Sequence, residues 1–105
     1  MIRMLRFTAG AKETLAELEA DPDRGPVLAQ VRKTLGLMEA DLRHPSLHAH
    51  EYRSLSGPAG DKVFEAYVLN QAPAAFRVFF VYGPDHQEGP LRIPVLTVIA
   101  ITAHP

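Results

Sequence analysis

Phe76-Arg77-Val78-Phe79-Phe80-Val81-Tyr82, followed further along by Val95-Leu96-Thr97-Val98-Ile99-Ala100-Ile101, is the part of the sequence that decides the fold. Both stretches are apolar at nearly every position. A strand with one face in water alternates instead, so these two read as central strands with cover on both faces. Working back toward the amino terminus, Val63 to Leu69 and Ala49 to Leu55 carry further β-branched and aromatic residues. The segments between them, Ser56-Gly57-Pro58-Ala59-Gly60-Asp61, Asn70-Gln71-Ala72-Pro73-Ala74 and Gly83 through Pro90, hold the Gly, Pro, Asn and Asp that tight reversals favour. The reading is four strands, Ala49–Leu55, Val63–Leu69, Ala75–Tyr82 and Pro94–Thr102, in an antiparallel meander.

Upstream of His44-Pro45 the period changes to that of a helix. Val27, Val31, Leu35, Met38 and Leu42 form one buried stripe behind Pro26, which suits a first helical turn. Ala11, Leu15 and Leu18 mark a shorter helix that Thr8 can cap and that ends before Asp21-Pro22. The short link between them makes the helices an antiparallel hairpin. Ile2 to Phe7 reads as a leading strand. The expected architecture is α+β, with an N-terminal strand and a two-helix hairpin on one face of an antiparallel sheet of four to five strands. The other face then needs cover from the sheet's own rim or from a partner.

One domain is the expectation for 105 residues, since two cores would each be too small to be stable. Hydrophobic residues at 47% and charged residues at 22% place the chain among folded proteins rather than disordered ones. The formal charge of −1, without strong bias in either half, means that any affinity for nucleic acid rests on a local basic patch. Without cysteine there is no disulfide framework and no thiolate chemistry, which suits a reducing cytoplasm. No apolar run has the length of a signal peptide core or a bilayer span, so neither export nor a membrane is expected.

Pairing the strands symmetrically about their turns places Arg53 opposite Glu65 and Arg77 opposite Tyr67. Glu51, Arg53, Leu55, Glu65, Tyr67, Arg77, Phe79 and Val81 then share one sheet face. Such a patch offers an arginine for phosphate, a carboxylate for a proton and a tyrosine for stacking, the parts of a metal-free ribonuclease. The same residues serve equally well as cross-strand ion pairs on a solvated face.

His44, His48 and His50 suggest metal ligation, and His48 and His50 share a strand face. No third ligand stands at a recognisable spacing, so neither metal nor cofactor is expected. His86 reads as a surface residue. His104 ends the last strand and can act as a general acid or base, because an imidazole titrates near neutrality. Ser46, Ser54 and Ser56 lack a nucleophile-elbow context, and no glycine-rich phosphate loop is present.

The order strand, helical hairpin and four antiparallel strands resembles the RelE/ParE superfamily of bacterial toxin components. Its local anchors are Leu55-Ser56-Gly57, the arginine-bearing strand Phe76–Tyr82, and Val98-Ile99-Ala100-Ile101-Thr102-Ala103-His104-Pro105. Arg43-His44-Pro45-Ser46-Leu47 and Val63-Phe64-Glu65-Ala66-Tyr67 are similar to a RelE-like subgroup. The resemblance implies a cognate antitoxin as partner and, in the enzymatic members, cleavage of mRNA, usually in the ribosome, by 2′-hydroxyl attack. By position Arg77 matches the central-strand arginine, and His104 the late catalytic residue. Glu51 and Glu65 then stand as candidate bases, with Arg53, Tyr67 and Lys62 as substrate contacts. Ribosome-dependent members are strongly basic, which this chain is not. The ParE-like alternative is a non-catalytic protein that binds an antitoxin or inhibits DNA gyrase. An antitoxin segment or a second copy of the chain is the expected cover for the open sheet face.

Overall fold

A computed structural model describes residues 2–68 and 76–103. Its elements are β1 (Met4–Phe7), α1 (Ala9–Ala20), α2 (Gly25–Ala40), β2 (His50–Ser56), β3 (Lys62–Tyr67), β4 (Phe76–Tyr82), β5 (His86–Glu88), β6 (Leu91–Ile93) and β7 (Val95–Ala103). Five strands form one sheet in the order β1-β7-β4-β3-β2, while β5 and β6 form a separate ribbon. The α+β class and the helical hairpin are as the sequence implies, and both apolar strands are interior to the sheet.

Local chemistry sets the helix ends. The Thr8 hydroxyl accepts from the Ala11 N–H at 3.3 Å and caps α1. At its other end Asp21-Pro22 breaks the ladder, and the Asp21 carboxylate accepts from the Asp23 N–H at 2.9 Å to start a 3-10 turn into α2. Pro26 sits in the first turn of α2, where its missing N–H costs nothing. Leu42, expected on the helical stripe, falls beyond the helix because Asp41, whose N–H makes the last helical bond to Leu37 O at 2.7 Å, leaves helical dihedrals at φ −157° and ψ 84°; the Leu42 side chain still packs on the core. That core joins Ala11 and Leu18 of α1 and Val31, Leu35 and Met38 of α2 to Ala66, Val78, Phe80, Leu96, Val98 and Ile101 of the sheet.

The sheet topology departs from the sequence reading in two ways. β1 pairs parallel with β7, Met4 opposite Val95 and Phe7 opposite Val98, so the sheet is mixed rather than wholly antiparallel. Nothing in a four-residue strand encodes direction; the helical hairpin that returns the chain across the sheet does. Gly83 to Pro90, expected to be a simple turn, also carries β5 and leads into β6, an excursion too short for its alternation to register. Asp85 Oδ1 accepts from the Val95 N–H at 3.2 Å, and Arg6 Nη2 donates to His86 Nδ1 at 2.9 Å, tying the ribbon to the sheet. His86 therefore has a specific partner.

The face away from the helices has a small core of its own. Val63, Phe79 and Val81 are buried there, with Tyr52, Ile99 and Ala100 packed against them, and the Tyr52 ring meets Phe79 edge-on at 5.1 Å. The chain's own edge strand thus supplies cover at this point. Among the described residues the large exposed hydrophobics are Ile2, Met4, Leu55, Tyr82 and Leu91. No helix of the described residues is long and apolar enough to cross a membrane.

The β2–β3 turn presses on this second core. A Cβ at Gly57 would stand 3.0 Å from Asp61 Cβ and 3.1 Å from Val81 Cγ1. Gly57→Ala is expected to destabilise by about 1–3 kcal/mol through overpacking. Chemical denaturation measures it, and a neutral result would mean that the turn yields without disturbing Val81.

Candidate functional site

On β3 and β4 the ladder follows the loop-centred pairing, with Tyr67 opposite Arg77 and Glu65 opposite Phe79. Phe76 and Val78 enter the helix-backed core, so Arg77 between them points to the other face. Its guanidinium carbon lies 3.8 Å from the Tyr67 ring centroid, a close cation–π contact. Nη1 donates to the Phe76 carbonyl at 3.0 Å, and Nε stands 3.9 Å from Glu65 Oε2. Only 13% of the Arg77 side chain is exposed.

The β2–β3 ladder corrects the expected register. Ser56 pairs with Lys62 beside the turn, but the pairing then shifts, and Glu51 faces Phe64 while His50 faces Glu65. Arg53 is therefore not opposite Glu65. An odd shift inverts which side chains share a face. Glu51 now lies on the side of Phe64, and its carboxylate meets Arg53 at 3.9 Å, with the Arg53 side chain 87% exposed. Alternation puts Lys62 on that side too. Glu51, Arg53 and Lys62 are thus outside the group formed by Glu65, Tyr67 and Arg77, and His50 takes the position foreseen for Arg53.

Sequence reading considered His50 only as a metal ligand and missed this role. The signal lay in Tyr52: only the shifted register gives its ring a buried partner in Phe79. In the structure His50 Nε2 is 2.9 Å from Glu65 Oε1. Glu65 is 2% exposed, whereas 44% of the His50 side chain meets solvent. His50 Nδ1 hydrogen-bonds the His48 carbonyl. A carbonyl only accepts, so Nδ1 carries hydrogen. The Nε2–Oε1 contact then needs one proton between its atoms, since two lone pairs would repel. The contact is closed by that single proton.

His48 completes the group. Its φ of 47° places it in the left-handed region, and its ring centroid lies 5.1 Å from that of Tyr67; the His50 ring meets the same tyrosine edge-on at 5.7 Å. A buried carboxylate is therefore flanked by an imidazole and a guanidinium, with a second imidazole on the tyrosine. One carboxylate and one guanidinium balance in charge, with two imidazoles beside them. A separate cleft of about 450 Å³ beside α1 is lined by Glu17, Asp21 and Arg24, two carboxylates to one cation, the wrong balance for phosphate. Among the described residues no three His, Asp or Glu side chains gather as a metal site. His104 lies outside the described residues, as does the reversal at 70–74.

Comparison with protein-family models, curated proteins and solved structures finds no match to this chain.

Proposed function

We propose that the chain is a RelE-type toxin that cuts mRNA without a metal ion, by attack of a ribose 2′-hydroxyl on the adjacent phosphate. What supports the reading is the Glu65 carboxylate held between His50 and Arg77 on the sheet face opposite the helices. The reaction needs a proton removed from the 2′-oxygen, a proton delivered to the departing 5′-oxygen and a cation for the charge that builds on the phosphoryl oxygens. In this chemistry the Glu65–His50 pair handles the protons, Arg77 is the cation, and Tyr67 holds Arg77 while bordering both imidazoles. Bonds balance: the 2′-oxygen to phosphorus bond forms, the bond from phosphorus to the 5′-oxygen breaks, and a 2′,3′-cyclic phosphate and a 5′-hydroxyl result.

One observation favours a second reading. Arg77 is largely covered and partnered within the chain, as in a structural ion pair. On that reading the protein binds an antitoxin, or DNA gyrase, and cleaves nothing.

Purified protein incubated with RNA in excess chelator, with and without ribosomes, decides between them. Cyclic-phosphate ends are expected, and Arg77→Ala is expected to lower the rate by about 10²–10³-fold, as for loss of an oxyanion donor. Intact RNA in every condition, with growth arrest that survives Arg77→Ala, would replace the nuclease reading with the binding one.

A further inference from the structure

The cleft beside α1 carries the sign that a nucleic acid avoids, over a floor that is apolar. Leu18 of α1, Phe76 at the start of β4 and Ile101 near the end of β7 make the floor, each at most 9% exposed. Glu17 and Asp21 stand on the rim, with Arg24 from the turn into α2. Arg24 does not neutralise them: its guanidinium carbon lies 5.9 Å from the Phe76 ring centroid, on the floor rather than on a carboxylate. Glu19 nearby is paired with Arg32 at 3.4 Å, whereas Glu17 and Asp21 have no ion-pair partner among the described residues.

The helix adds to this imbalance. α1 ends at the cleft, and the partial negative charge of a helix C-terminus favours cations. Its last turn contains no basic residue. Glu17 and Asp21 are four positions apart in sequence, the spacing at which like charges on a helix oppose each other. Two carboxylates thus stand where a helix tolerates them least. A cation between them relieves both.

We infer that this cleft docks a segment of a partner protein that presents an arginine or lysine beside an apolar residue. Charge complementarity selects the head group, which meets Glu17 and Asp21, while the stem of the same side chain lies along Leu18. The apolar neighbour covers Phe76 and Ile101. A volume of about 450 Å³ leaves room for both side chains. Because the carboxylates are on an exposed rim, pairing them does not carry the desolvation cost of a buried salt bridge. Phosphate is repelled by the same groups. The docking site therefore holds whether or not the chain cuts RNA.

The probe is acetyl-leucyl-arginine amide, titrated to about 10 mM into isotope-labelled protein and followed by amide NMR shifts. Saturable shifts are expected at Glu17, Leu18, Ile101 and Thr102. Acetyl-leucyl-glutamine amide, which lacks the charge, and agmatine, which lacks the apolar neighbour, are each expected to bind about tenfold more weakly. Glu17→Gln combined with Asp21→Asn is the matched variant. Asparagine still accepts from the Asp23 N–H and glutamine is a good helix former, so the fold is kept. It is expected to weaken the arginine peptide about tenfold, with an unfolding midpoint no lower than wild type. Agmatine binding as tightly as the dipeptide would make this a site for a small free cation. Shifts at the same amides on concentrating the protein alone would make it a contact with a second copy. No shift in wild type, or no loss in the double variant, would mean that charge selects no occupant here. Each of these overturns the assignment, and none bears on RNA cleavage.

Discussion

Glu65→Ala is expected to lower stability by about 2–3 kcal/mol and, on the ribonuclease reading, the rate of RNA cleavage with it. Removing one member of a buried ion pair costs about 3–5 kcal/mol, because the remaining charge is left in a poor solvent. Here water softens the penalty. His50 is almost half exposed and turns to solvent once released, whereas Arg77, at 13% exposure and stacked on Tyr67, has little room to do so. For a domain of this size the loss amounts to roughly 10 °C or more in Tm. Replacing the pair with apolar side chains, Glu65→Leu with Arg77→Met, is expected to recover most of that loss, since no charge then remains stranded. Urea unfolding of the two single variants and the double variant gives the coupling. A Glu65→Ala variant within about 0.5 kcal/mol of wild type, the ordinary range for surface positions, would show that the carboxylate is not the keystone of the cluster. Full cleavage per folded molecule in the same variant would show that His50 needs no positioning.

How much of this was legible beforehand depended on whether local chemistry or long-range pairing decides each feature. Thr8, Pro22 and Pro26 set the helix ends by capping and by proline's fixed geometry, and each acts within a turn of itself. The pairing of β3 with β4 follows from symmetry about its reversal, so Tyr67 and Arg77 meet as expected. Between β2 and β3 that symmetry holds only at Ser56 and Lys62. Beyond them the ladder slips so that Tyr52 can cover Phe79, a gain that involves a residue on a third strand and is invisible in the hairpin alone. One slip exchanged Glu51 and Arg53 for His50. The strand-turn residues could be read, but which side chain stands beside Glu65 turned on a packing choice made elsewhere.

Phe79 and Phe80 test that packing choice from opposite faces of one strand. Phe80→Ala is expected to cost about 4 kcal/mol, within the usual range for a buried phenylalanine, and so to consume much of the stability of a domain this size. Phe80 is 0% exposed, its ring stacks with Phe64 at 5.8 Å, and its neighbours are held by two helices behind the sheet. The hole cannot close without moving a helix. Phe79→Ala, from a side chain 2% exposed, is expected to cost about 3 kcal/mol. Its lid is Tyr52 on an edge strand, which can drop into the space and reclaim part of the lost contact. Guanidinium unfolding of both variants measures the difference. The Phe79 value bears on partnership as well as stability: a loss of several kcal/mol in the isolated chain means that Tyr52, Ile99 and Ala100 already bury this face. A partner on this face would then dock beside the second core rather than complete it. A loss near zero would reverse that conclusion and leave the apolar half of β4 waiting for a second chain.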